Sequence, residues 1–544
     1  MKTNLFLMGI IILGAFLRLY QLSSVPPSPS LDEVSIGYNA YSIFHTGKDE
    51  YGYSFPVLLR AYDDWRPGLY AYLVIPFLPL FGLSALAVRL PSAILSIFTV
   101  YLSYILVKEF FKNEKLKIFN NHGIHTEHLA LLTSFLLAIS PWHIYLSRLG
   151  HEVNLGLIAF LLGIYFFIRG SFVLSSIFFV LSLYGYQSQK IIVPIVFFGA
   201  VLLFYKKILR QWKEVTLAAV IGIVLLVPLT IASSTPQALI RFKATSAFSG
   251  IGSKYQESAE NILAARERGD IVGQHLNNRR LVVPKVFIGN YVSHFNPLWL
   301  FRGTEIEQHK VPNLGLMYIW ESVFIIIGIL VFLFLNIDRR NKILITLWFF
   351  SSPLAAAITT GAPHAMRSYT FLPLWQLFCA LGILMAFGNL RQFISSKLLI
   401  GLFAFVSVLS GIYFAINYFV VFPKTQSSSF QYALSKAVSY ATQHEGEYRE
   451  IVFSNRDNLY QSYMFFLFYT KYDPKLYLSE GGTKSGGFAE THIIGKYQFK
   501  PVEYSKIPKG TFVVGNIFEI PATANLLQII PNLNGTDEII ISKK

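Results

Sequence analysis

Twelve apolar runs, separated by short polar loops, fill most of the chain up to residue 422, and they leave few folds open. They fall at residues 5–17, 68–81, 86–107, 128–146, 155–168, 172–186, 191–205, 215–232, 315–335, 343–358, 369–387 and 398–422. Runs of this kind are made for a bilayer, where a helix of roughly 20 apolar residues satisfies its own backbone. Only 14% of the 544 residues are charged, against about 25% in a soluble domain. So few charges could not cover the surface of a soluble protein this large. The 48 Phe and 31 Tyr exclude a disordered chain. The chain therefore reads as a polytopic α-helical membrane protein.

Lys and Arg total 46 against 30 Asp and Glu, a formal charge of +16. The basic residues sit in short loops between apolar runs, where they orient helices, and this argues against a nucleic-acid partner. Cys379 is the only cysteine. It rules out an intrachain disulfide and a thiolate zinc cluster.

Charge also sets a topology. The loops 108–117, 206–213, 339–342 and 391–397 are basic, and placing all four in the cytoplasm leaves room for one crossing between Asp32 and Lys108. The run 68–81, interrupted by Pro76 and Pro79, is then a juxtamembrane or re-entrant segment. About eleven spans result, with the N-terminus inside and the C-terminus outside. External loops cover about residues 21–85 and 234–313, together with the short segments around 148–154, 187–190 and 363–367. The expected location is the plasma membrane, multi-pass.

Residues 1–424 form this membrane module. From 425 to 544 charges and glycines return, and we expect a small extracytoplasmic α/β domain. Ile451-Val452-Phe453, Phe512-Val513-Val514 and Ile539-Ile540-Ile541 read as buried strands. Phe430, Leu434, Ala437, Val438 and Ala441 share helical spacing, with Ser427 as a candidate cap. Gly481-Gly482 and Gly486-Gly487 bound a loop.

Polar residues that topology does not explain gather on the outer side. Asp32-Glu33 follows Pro26-Pro27-Ser28-Pro29; adjacent carboxylates cannot share a face, so one can meet a reaction centre while the other does something else. A helix start capped by Ser30, with acids in its first turn, accounts for the same residues. The sequence after it continues as an amphipathic helix along the membrane. Arg66 precedes a backbone turn and its planar fork suits a phosphate, while snorkelling to lipid headgroups is the alternative. Arg148, His151 and Glu152 share one short loop, as an ion pair or as substrate contacts. One His and one Glu are too few for a metal site, and no metal or cofactor is expected. Lys190 opens a span from the outside against the usual charge bias, and His364 and Arg367 flank a helix start beside Pro363. No P-loop, dinucleotide fingerprint or nucleophile elbow is present.

The ordered set Leu31-Asp32-Glu33, Tyr38-Asn39-Ala40, Arg66-Pro67-Gly68-Leu69-Tyr70, Ala87-Val88-Arg89-Leu90-Pro91-Ser92-Ala93, Ser140-Pro141-Trp142, Arg148 to Asn154 and Pro363-His364-Ala365-Met366-Arg367 resembles the GT-C membrane glycosyltransferases. The resemblance is to the group of protein O-mannosyltransferases and the aminoarabinose lipid A transferase, over about residues 1–420. It implies a GT-C fold with juxtamembrane helices in the first external loop and an external active site. It implies a polyprenyl-phosphate-linked sugar donor and Asp32 as general base, and Asp32 and Glu33 are the candidate catalytic residues. Many relatives carry Lys-Pro-Pro where this chain has Arg66-Pro67-Gly68; the cation is kept and the second proline is not. The loop 234–313 is too short for the inserted lumenal domain of the eukaryotic protein-mannosylating branch.

The expected reaction is inverting transfer to a hydroxyl of a protein, lipid or glycan acceptor. Arg66, Arg148, His151, Glu152, Lys190, His364 and Arg367 are the candidate substrate contacts. The competing class is a secondary transporter or lipid flippase, which calls for ionisable residues at mid-span and repeated halves. The sequence shows neither.

Overall fold

The computed structural model describes residues 2–544 apart from 63, 113–115, 118–122, 237–245, 250, 305–308 and 486–490. Every one of the twelve apolar runs is helical. Among the described residues, Ala85–Phe110, Trp212–Ser233, Tyr369–Leu390 and Ser396–Thr425 are each long and apolar enough to cross a bilayer, and Thr126–Ile139 with Pro141–Ser147 makes a fifth, bent by 57°. Shorter apolar helices fill the remaining runs, including Thr3–Leu19, Val153–Arg169, Phe172–Gly185, Gln189–Leu203 and Glu321–Phe334. The stretch 69–81 is split into Leu69–Val74, Ile75–Phe77 and Leu78–Phe81, with a proline at the start of each later piece. At about 1.5 Å per residue it reaches about 20 Å, short of a hydrocarbon core of about 30 Å.

Two devices hold the helices together. Where Glu321–Phe334 crosses the helix Leu374–Leu390, Gly328 faces Gly382, and a Cβ on Gly328 would sit 1.7 Å from the Phe378 carbonyl oxygen. Only glycine lets these backbones meet so closely. Buried guanidiniums do the rest by satisfying carbonyls that a loop would leave bare. Arg148 donates to the carbonyls of Leu17, Arg18 and Val25 at 3.0–3.1 Å and to the Tyr418 hydroxyl at 3.2 Å. Arg89 donates to the carbonyls of Leu22 and Pro26 at 3.0 Å and of Ser28 at 2.8 Å.

The first loop carries helix α1 (Lys2–Leu19) into helix α2 (Leu31–Thr46) and then into a hairpin of β1 (Leu58–Ala61) and β2 (Asp64–Pro67). The C-terminal part is a six-stranded mixed sheet. Its strands are β3 (Ile451–Phe453), β4 (His492–Ile494), β5 (Tyr497–Phe499), β6 (Phe512–Gly515), β7 (Asn525–Pro531) and β8 (Asp537–Lys543), in the order β4-β5-β3-β6-β8-β7. Strand β3 runs parallel to β5 and β6, and the other pairs are antiparallel. The three strands expected from sequence are all present.

Residues alternate between the two faces of this sheet, as period-two geometry requires. Ile451, Phe453, Phe512, Val514, Ile539 and Ile541 join the helices Tyr432–Gln443 and Ser462–Thr470 in one core with Val34, Ile36, Tyr38, Leu59 and Tyr70 of the first loop. Val452 and Val513 face the other way, beneath Val502, Ile507 and Ile520.

Two expectations are corrected here. Helix α2 is not a surface helix on the membrane, because residues 33–40 are all buried. It is clamped between Val88 of the membrane module and Phe468 of the C-terminal part. A Cβ on Gly37 would lie 2.8 Å from one and 2.6 Å from the other. Ser427 does not cap the next helix: its hydroxyl bonds the Lys424 carbonyl, and Tyr432–Gln443 starts at Gln431 in the left-handed region, φ 48°. Gly486 and Gly487 lie outside the described residues.

Candidate active site

The site begins with a helix cap. The Ser30 hydroxyl accepts from the Glu33 amide at 3.3 Å, and the Glu33 carboxylate accepts from the Ser30 amide at 2.7 Å. This capping box fixes the first turn of α2. Consecutive helical positions lie about 100° apart, so the two carboxylates part company. Glu33 turns inward to Arg89, whose Nε donates at 2.7 Å, and also accepts the Gly150 amide at 2.8 Å. Asp32 turns outward, with its side chain 55% exposed.

Arg66 arrives from strand β2, in register opposite Leu59. Its Nη1 donates to Asp32 Oδ1 at 3.1 Å, and its side chain is only 4% exposed. Its Nε and Nη2 are buried and, among the described residues, have no hydrogen-bond partner. Glu152 lies close enough to act on the Arg66 charge. Glu152 is buried, with Oε2 3.3 Å from His151 Nδ1. That ring nitrogen also accepts the Val153 amide at 3.3 Å, and among the described residues Glu152 Oε2 has no hydrogen-bond partner.

A cavity of about 320 Å³ opens beside Asp32 and Glu33. Tyr145, Leu149, Gly150 and His151 line it from the helical module, His309 and Met366 from two later loops, and Gln426, Ser429 and Phe430 from the start of the C-terminal segment. Asp32 also acts on Tyr460 of the C-terminal part, which burial keeps above the ordinary phenol value.

The sequence-nominated residues separate on geometry. Asp32, Glu33 and His151 line the cavity, with Arg66 and Glu152 directly behind. His364 stacks obliquely on His309, ring centres 5.1 Å apart, and its amide donates to His294 Nε2 at 3.1 Å. Arg367 donates to Thr359 Oγ1 at 2.8 Å and the Thr360 carbonyl at 2.7 Å. Burial, then the neighbouring His309 and Arg367, hold His364 down at about 2; burial and His151 hold His309 at about 4. Both imidazoles are therefore neutral near pH 7. Arg148 is not on the cavity wall, and its guanidinium is given over to carbonyls and to the Tyr418 and Phe419 rings. Lys190 donates to Ser233 Oγ at 3.3 Å and is not among the lining residues.

His309, Met366 and the segment 426–430 supply walls that the site reading missed. His309 belongs to no motif and stands in a loop without periodicity. Among the described residues, no three or more His, Cys, Asp or Glu gather as a metal-ligand set.

The fold is that of the GT-C membrane glycosyltransferases. ArnT from Cupriavidus metallidurans, bound to undecaprenyl phosphate, is similar over 99% of this chain and 97% of its own, with 10% identity and a TM-score of 0.54. The Archaeoglobus fulgidus oligosaccharyltransferase in the apo form is similar over 86% of this chain, with 12% identity and a TM-score of 0.50. This chain spans only 63% of the length of that oligosaccharyltransferase. No family model and no curated protein sequence matches the chain.

Proposed function

We propose that the protein is an inverting glycosyltransferase, moving a sugar from a polyprenyl-phosphate-linked donor to a hydroxyl acceptor on the extracytoplasmic face of the plasma membrane. The observation that carries this reading is a carboxylate, Asp32, exposed at a cavity and held by a buried arginine with spare donors. A donor tethered to lipid suits a site built where membrane helices meet an external domain. The fold shared with an undecaprenyl-phosphate-bound protein supports a lipid phosphate in that role.

In the proposed reaction Asp32 takes the acceptor's hydroxyl proton while that oxygen forms its bond to the anomeric carbon. The bond from that carbon to the phosphate oxygen breaks on the opposite face, and polyprenyl phosphate leaves with the electron pair. Arg66 orients Asp32, and its buried positive charge behind the wall stabilises the phosphate as charge develops there. His151 and His309, both on the wall, are hydrogen-bonding partners for sugar hydroxyls. Glu33 and Arg148 act through position: Glu33 pins the first turn of α2, and Arg148 ties the end of α1 to the helix carrying Tyr418.

The test in cells compares envelope glycans from a strain lacking the gene with strains complemented by wild type or Asp32→Asn. Loss of one glycan, restored by wild type alone, is the expected result. Restoration by Asp32→Asn would remove the base from this position.

A further inference from the structure

A second cavity, of about 450 Å³, lies on the C-terminal sheet and belongs to nothing described above. Its cations are Lys509, before β6, and Lys543 and Lys544, at the end of β8. Aromatic faces hold two of them in place: Lys544 Nζ stands 4.5 Å from the Tyr504 ring centre and Lys543 Nζ 5.7 Å from that of Tyr448. Among the described residues none of the three lysines is ion-paired. Of the acids nearest in sequence, Glu503 pairs with Lys506, and Glu538 accepts from Ser428, Asn458 and Asn532. Ser505, Thr523 and Asn525 add hydroxyl and amide donors to the same lining. Three cations lining one groove repel one another, and an anion placed between them removes that repulsion.

The placement decides what kind of anion. Tyr504 and Ala524 cover the sheet face of Val452 and Val513, whereas the first loop and α2 pack on the opposite face. The cavity is thus turned away from the elements that join this part to the membrane module, toward soluble polymer rather than bilayer. We propose that this groove binds an anionic glycan, its phosphate or carboxylate oxygens meeting Lys509, Lys543 and Lys544 and its hydroxyls meeting Ser505, Thr523 and Asn525. The inference goes beyond the transfer reading and stands whether or not Asp32 is a base.

The test uses the full chain in zwitterionic detergent with three fluorescent probes: polygalacturonate, poly(glycerol phosphate) and neutral dextran. Wild type is expected to bind one or both anionic polymers and not dextran, more weakly as salt rises. The triple variant Lys509→Gln, Lys543→Gln, Lys544→Gln should bind the retained polymer at least about 10-fold more weakly at low salt, since it loses three surface charges. Lys509 and Lys543 are exposed and Lys544 is half-buried, and an unchanged melting temperature confirms an intact fold. Equal binding by wild type and variant overturns the proposal, as does binding of dextran as tight as that of the charged polymers. If the variant loses binding to phosphatidylglycerol vesicles but keeps the polymers, the groove is a bilayer contact and the proposal is likewise wrong.

Discussion

Asp32 and Glu33 show how one residue of rotation along a helix assigns two identical functional groups to different work. Glu33 is buried against Arg89 and two main-chain amides, so Glu33→Gln leaves a guanidinium in the interior without its charge partner. Losing one partner of a buried pair costs about 3–5 kcal/mol. Glu33→Gln should therefore lower the melting temperature clearly, with activity falling only as folded protein is lost. Arg66→Gln should behave differently. It removes the donor to Asp32 and the spare N–H groups, and transfer should fall by about 10²-fold, read as kcat on protein of checked fold. An Arg66→Gln enzyme at wild-type kcat would take the arginine out of the reaction. The sequence alone showed that the two carboxylates must diverge. It did not show which one faces the cavity, because that depends on Arg89, 56 residues away along the chain.

At the level of elements, the contact between the first loop and the C-terminal sheet is the feature that hydropathy could not reveal. Helix α2 is rich in small and aromatic residues, and both its faces are buried because a second partner, distant in sequence, covers the one that would otherwise meet water or lipid headgroups. Gly37 is where that sandwich is thinnest. Gly37→Val should force Phe468 and Val88 apart and cost about 1–3 kcal/mol, seen as earlier melting and faster proteolysis of the C-terminal part. The same seam holds Glu50, fully buried, accepting from Asn39 at 3.0 Å, Thr483 at 2.8 Å and Tyr463 at 3.3 Å. Burial raises its carboxyl from the usual value to about 7, and the adjacent Asp49 to about 6. A raised acid favours the folded state in its protonated form. The stabilisation is complete below about pH 4 and is lost as pH rises through 7. The seam should thus loosen between about pH 4.5 and 7.5, by on the order of 3 kcal/mol for Glu50. Hydrogen exchange across β3 should report this, and Glu50→Gln should flatten the pH dependence. Unchanged protection over that range would show that Glu50 stays neutral or stays solvated.

For the whole molecule, the apolar runs and their basic loops were enough to expect a helical membrane module followed by an external α/β part. Each run depends on local composition alone, which is why it was legible. The cavity was legible only in part. Asp32, His151 and Met366 stood in recognisable local patterns, but nothing local marked His309 or Phe430 for the wall, and only the packed chain brings them to it. Our proposed arrangement of eleven spans makes a firm prediction of sidedness. In a background lacking Cys379, single cysteines near Asp32, Glu152, His364 and in 425–544 should be labelled from the outside. Cysteines near Lys112 and Arg339 should be labelled only from within. Labelling of the Asp32 and Lys112 regions from the same side would make 69–81 a true span and invert everything that follows it.

The central claim is that the exposed carboxylate beside Arg66 is the base for transfer, and it is tested most directly with purified Asp32→Asn protein and a synthetic polyprenyl-phosphate sugar. Asparagine keeps the size and hydrogen bonding of the side chain but cannot accept the proton. The account predicts a normal melting temperature, retained donor binding and a loss of transfer of about 10²–10⁴-fold. A carboxylate that merely decorates a helix start contributes about 0.3–1 kcal/mol through the helix dipole, so its replacement would leave turnover intact. Wild-type turnover by well-folded Asp32→Asn would contradict the account and direct attention to Glu152, the buried carboxylate behind the same cavity.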